Sequence, residues 1–168
     1  MTVHHSIETF SYRLSLALVE TLELHSDHLP GHKLYGAMLV STTDDLLPWF
    51  AVLDDSDTVG IEPHRRWAPG DFCTALNNPL LAEVCGLTHD LRDSWAGTTE
   101  EWQRISLVAL SDALGSRPVR HALHSMGADP ILYIFDDRGA GIEATTFVAL
   151  NAGRESEPFY RQASRFLL

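Results

Sequence analysis

Four short apolar runs constrain this fold more than any other feature of the chain: residues 33–41, 49–53, 130–135 and 145–150. Each has the length and the aromatic or β-branched content of a strand. They come as two pairs, divided by turn-forming residues. Thr42-Thr43-Asp44-Asp45 separates the first pair, and Asp136-Asp137-Arg138-Gly139-Ala140-Gly141 the second. This spacing predicts two antiparallel hairpins.

The rest of the chain carries helical signals. Ile7, Phe10, Leu14, Leu18 and Leu22 recur at intervals of three and four, so residues 6 to about 25 read as an amphipathic helix stopped by Pro30-Gly31. Asn78-Pro79 has the order of an N-cap followed by a first-turn proline, opening a helix to about Leu91. Thr98 and Glu101 form a capping box before Trp102, Ile105, Val108 and Ala109, and Gly115 closes that helix. Pro118 starts a short successor carrying His121 and His124, and a last helix runs from about Ser156. Residues 54–70 read as a loop around Arg65-Arg66-Trp67. The expected architecture is α+β: an antiparallel sheet built from two hairpins, with N-terminal, central and C-terminal helices packed against it. Residues 1–168 are expected to form a single globular domain.

Composition narrows the function classes. The net charge of −11 opposes phosphate backbones, so a nucleic-acid reader is not expected. No apolar run approaches the ~18 residues of a membrane span. The segment Met1-Thr2-Val3-His4-His5-Ser6 has no basic flank before an apolar stretch, so no secretory signal is expected. Two cysteines, Cys73 and Cys85, do not make a disulfide framework, and the expected location is the cytoplasm.

The charge is uneven. Residues 1–116 hold 17 acids and 6 Lys or Arg, whereas residues 117–168 hold 6 of each. Asp44, Asp45, Asp54, Asp55, Asp57 and Glu62 fall within a stretch that has no Lys or Arg. Asp favours turns through local hydrogen bonds, which explains part of this pattern. The functional reading is an acidic surface that steers a basic partner, with Trp49 or Trp67 as aromatic anchors.

Catalytic signals are weak. His25, His28 and His32 offer three imidazoles for a transition metal, but Pro30-Gly31 interrupts the helical spacing that would align them. His121 and His124 are three apart without a matching pair. Cys73, His64 and Asp71 permit a nucleophile triad only on paper. Counted from Asp54, the twelfth position of a calcium loop is Arg65 instead of Glu. Neither a cofactor nor an enzymatic activity is expected.

Leu34-Tyr35-Gly36-Ala37-Met38-Leu39-Val40, Arg66-Trp67-Ala68-Pro69-Gly70-Asp71-Phe72, and the runs 131–136 and 147–151 occur in an order that resembles an uncharacterised family of bacterial domains. Members of that family include immunity proteins of polymorphic and contact-dependent toxin systems. The resemblance implies a fold and a genomic context, and it carries over no catalytic residue. This chain departs from the family in its heavier load of Asp between residues 44 and 57. The expectation is therefore a cytosolic immunity protein that neutralises a basic toxin through an acidic surface. The alternatives are a metal-dependent hydrolase using the His cluster and a self-associating structural or regulatory module.

Overall fold

The computed structural model describes residues 3–29, 31–41, 48–55, 62–70, 73–136 and 142–168. Among these residues, four strands form one sheet: β1 (Leu34–Ser41), β2 (Trp49–Asp54), β3 (Thr74–Leu76) and β4 (Ile131–Asp136), in the order β3-β2-β1-β4. β1 pairs antiparallel with β2, and β2 antiparallel with β3. β4 runs parallel to β1, with Gly36 opposite Ile131 and Ser41 opposite Asp136. Among the described residues, six α-helices accompany the sheet: α1 (Val3–His25), α2 (Pro79–Asp93), α3 (Thr99–Leu114), α4 (Arg117–Ser125), α5 (Ile142–Leu150) and α6 (Pro158–Leu167).

The α+β class stands, but the sheet is mixed, and only the first hairpin forms. The run at 145–150 lies in α5 and not in a return strand. Its burial explains why. Thr146, Phe147 and Leu150 are buried while Thr145, Val148 and Ala149 are exposed, which is the spacing of a helix face and not the alternation of a strand. A parallel partner such as β4 reaches its place through a long crossover, here the helices α2 to α4.

The sheet is covered on both sides. Ala37, Leu39, Phe50, Val52, Leu132 and Ile134 face a core shared with α1, α2, α3 and α4. Met38, Val40, Ala51, Leu53, Ile131 and Tyr133 face a second core with Trp67, Phe147 and Tyr160. Every residue of β1 is buried, so the strand reads as a continuous apolar run instead of an alternating one. A bulge between Leu34 and Gly36 shifts the parity and places Tyr35 on the same side as Met38.

Local chemistry sets the helix starts. The Asn78 side chain accepts from the Leu81 N–H at 2.7 Å, and Pro79 needs no donor at the first position. Thr98 and Glu101 make the reciprocal bonds of a capping box at 3.1 and 2.8 Å. The short 3-10 turn Pro63–Trp67 drops the indole of Trp67 onto the second face of the sheet. Tyr35 donates to the Arg66 carbonyl at 2.9 Å and Tyr133 to the Trp67 carbonyl at 2.8 Å. Their rings meet the indole edge-on at 5.1 and 5.9 Å. Gly36 makes room beneath it, since a Cβ there would lie 3.3 Å from the Trp67 ring and 2.8 Å from Leu53.

Candidate functional site

The surface begins with α1, which packs against α2, α3 and α4 at once. Arg13 reaches Glu83 of α2 at 2.9 Å, and the Ser11 hydroxyl donates to the Ala109 carbonyl of α3 at 3.0 Å. α1 is therefore tied to a helix on either side. Its inward stripe of Phe10, Leu14, Leu18 and Leu22 is buried. Its outward side presents Tyr12 and Leu16, one turn apart and 63% and 42% exposed. Val108, beside the Ala109 carbonyl held by Ser11, is 43% exposed.

The three helices carry exposed acids, and on α1 Glu8 and Glu20 stand one turn to either side of Tyr12 and Leu16. On α1 the acids are Glu8, Glu20 and Glu23; on α2, Glu83, Asp90 and Asp93; on α3, Glu100, Glu101 and Asp112. All nine are exposed. Arg13, Arg92 and Arg104 are the only Lys or Arg on these three helices. The three helices thus carry a strong negative excess.

The residues singled out in the sequence fall in several environments. Asp44, Asp45 and Asp57 lie outside the described residues. Asp54 is half-buried at the end of β2, and Asp55 is exposed and 3.8 Å from the Arg66 guanidinium. Glu62 is exposed just before the 3-10 turn. Trp49 is half-buried and packs against the second core. Trp67 is fully buried and is not a surface anchor. A tryptophan in a polar loop reads as exposed in the sequence, but here two tyrosines and a glycine gap hold it in the core.

The histidines are dispersed in role. His25 ends α1, with Nε2 3.0 Å from the Asn77 carbonyl. His28 is exposed in the following turn, and the side chain of His32 lies outside the described residues. Among the described residues, no group of three or more His, Cys, Asp or Glu is placed to hold a metal ion. Of the paper triad, Asp71 and the side chain of His64 also lie outside the description. The Cys73 thiol donates to the Gly70 carbonyl at 3.2 Å. Burial pushes the Cys85 thiol up to about 12, so this cysteine behaves as a small core hydrophobe.

Sequence reading missed the centre of this face. Its signal was present: Tyr12 and Leu16 are apolar at positions opposite the inward stripe of α1. No helix of the described residues is long and apolar enough to cross a membrane. No family model, curated protein or solved structure matches the chain.

Proposed function

We propose that the chain is a protein-binding module, and that the α1–α3 face docks a basic protein. The observation that carries this reading is the pair Tyr12 and Leu16, exposed on α1 with Glu8 and Glu20 one turn to either side. Single exposed hydrophobes are ordinary on any surface. Two on one helix turn, inside a charged rim, have the anatomy of an interface: an apolar centre for affinity and a polar surround for orientation. A second copy is a poor occupant, because two chains of charge −11 repel each other.

The finer reading is a bacterial immunity protein of the cytoplasm that covers a basic toxin. The family resemblance and the acidic face support it. A toxin that acts on nucleic acid must itself be basic. Such an inhibitor shifts the expected contact from the 44–62 stretch to α1–α3.

The test is co-expression of the tagged chain with the product of the neighbouring reading frame, followed by calorimetry on the purified pair. A one-to-one complex with a basic protein is the expected result. It should weaken at least about tenfold in Tyr12→Ala/Leu16→Ala, since an interface anchor costs more than ~1 kcal/mol on truncation. No complex, or a complex indifferent to that double change, overturns the reading.

A further inference from the structure

The opposite sign of charge gathers on α4. Arg117, Arg120, His121 and His124 stand at positions i, i+3, i+4 and i+7, one stripe of a helix that contains no acid. The stripe forms one wall of a groove of about 370 Å³. The lining also includes the Ala128-Asp129-Pro130 segment that leads into β4, together with Leu123 and Leu132. Among the described residues, Asp129 is the only carboxylate in the lining, and it sits 3.4 Å from Arg154.

Arg120 in the lining and Arg154 beside Asp129 are tied to backbone carbonyls. Arg120 donates to the carbonyls of Gly115 and Leu150. Arg154 donates to the carbonyls of Pro130 and Asp129 and grips Glu157 at 2.7 Å. Burial, and then the like charge of Arg154, makes the Arg120 guanidinium easier to deprotonate than usual, with Asp129 acting in the opposite direction. The side chains of Arg117, His121 and His124 have no partner among the described residues and are exposed.

We propose that this groove binds a small organic phosphate. Guanidinium forks and imidazole N–H groups match the several oxygens of a phosphate monoester. The fixed Arg120 contributes charge without further ordering, and Arg117, His121 and His124 close on the phosphoryl group. Leu123, Pro130 and Leu132 offer an apolar floor to the organic body. The volume lies within the ~300–1,000 Å³ of small-molecule sites, so the groove is roomier than a bare anion requires. This site is separate from the acidic face, and either can fail without the other.

The experiment is an amide NMR titration of the full chain with adenosine 5′-monophosphate, with inorganic phosphate and adenosine as comparison probes. The expected result is saturable shifts in α4 and in residues 128–132, with a Kd below about 1 mM for the monophosphate. Inorganic phosphate should bind at the same amides at least about tenfold more weakly, and adenosine more weakly still. Arg117→Glu/His124→Glu, at two exposed positions, should leave the melting temperature in place and weaken the monophosphate at least about tenfold. The proposal is overturned if shifts are absent or fall elsewhere, if adenosine or inorganic phosphate binds as tightly as the monophosphate, or if the folded double variant binds unchanged.

Discussion

The carboxamide of Asn151 pairs with both backbone groups of Leu132. Its Oδ1 accepts from the Leu132 N–H at 3.0 Å, and its Nδ2 donates to the Leu132 carbonyl at 2.7 Å. Nδ2 also donates to the Phe147 carbonyl at 2.9 Å. One side chain therefore supplies the rung that a fifth strand would make, and it does so at the edge of β4. Arg154 continues the seal by holding the carbonyls of Pro130 and Asp129. An edge closed in this way offers fewer unpaired groups to another chain.

Asn151→Ala should therefore be among the most costly single changes in the protein. It leaves the N–H and the carbonyl of a fully buried residue unsatisfied, for about 2–4 kcal/mol in total. Urea denaturation followed by circular dichroism measures the loss. Asn151→Asp should cost more than Asn151→Ala, and increasingly so above pH ~4, because a carboxylate presents oxygens to the carbonyls of Leu132 and Phe147. A loss below 1 kcal/mol for Asn151→Ala would show that the rung contributes little.

The same residue explains where sequence reasoning failed. Thr145-Thr146-Phe147-Val148-Ala149-Leu150 has strand composition, and six residues are too few for periodicity to separate strand from helix. What decides is the edge of β4, where Asn151 takes the place a return strand would occupy, and an asparagine in sequence gives no sign of that. By contrast, the Asn78-Pro79 and Thr98–Glu101 signals were legible because their chemistry is local. β3 spans only Thr74–Leu76 and was missed for lack of length. The outward apolar pair on α1 was visible in the pattern but overshadowed by the Asp-rich stretch. The groove at α4 needs the Ala128–Pro130 segment brought alongside the helix, which no local signal encodes.

Tyr133 and Tyr35 give the protein an alkaline weakness. Burial raises the phenol of Tyr133 well above its ordinary value, and burial likewise raises that of Tyr35. Both are neutral donors to backbone carbonyls in the fold. Between the ordinary tyrosine range near ~10 and the raised folded values, the unfolded chain loses a proton that the folded chain keeps. Stability is thus fully present below pH ~10 and falls as pH rises, by about 1.4 kcal/mol per pH unit for each such tyrosine. Tyr133→Phe should remove one such increment of slope while lowering stability at neutral pH by about 1–3 kcal/mol, because the Trp67 carbonyl loses its donor. Urea midpoints collected from pH 7 to 11.5 read both effects; an unchanged slope in Tyr133→Phe would remove Tyr133 from the account.

The two thiols should separate cleanly in a reactivity assay. Cys73 is half-buried beside Gly70, whereas Cys85 is buried on α2 with its thiol raised to about 12. Thiolate is the reactive species, so Cys85 is shielded both by access and by ionisation. In a disulfide-exchange reagent at pH 8, native protein should show one prompt thiol. The second should appear only on unfolding. Cys73→Ser should abolish the prompt phase. Two prompt thiols, or a prompt phase surviving Cys73→Ser, would contradict the burial of Cys85.

Tyr12 and Leu16 should separate function from folding. Both project from the outward side of α1, away from the buried stripe of Phe10, Leu14, Leu18 and Leu22. Exposed substitutions away from caps and networks usually change stability by no more than ~0.5 kcal/mol. Tyr12→Ala/Leu16→Ala should therefore melt within a few degrees of the unaltered chain while losing its protein partner. Charge reversal at Glu20 and Glu23, Glu20→Lys/Glu23→Lys, acts on a different quantity. It should slow association and flatten its salt dependence while changing dissociation little, because rim charges steer encounters more than they hold complexes. Surface plasmon resonance at 50 and 150 mM salt distinguishes the two variants. A double alanine variant that binds normally, or a charge-reversed one whose association rate is unchanged, would move the interface off this face.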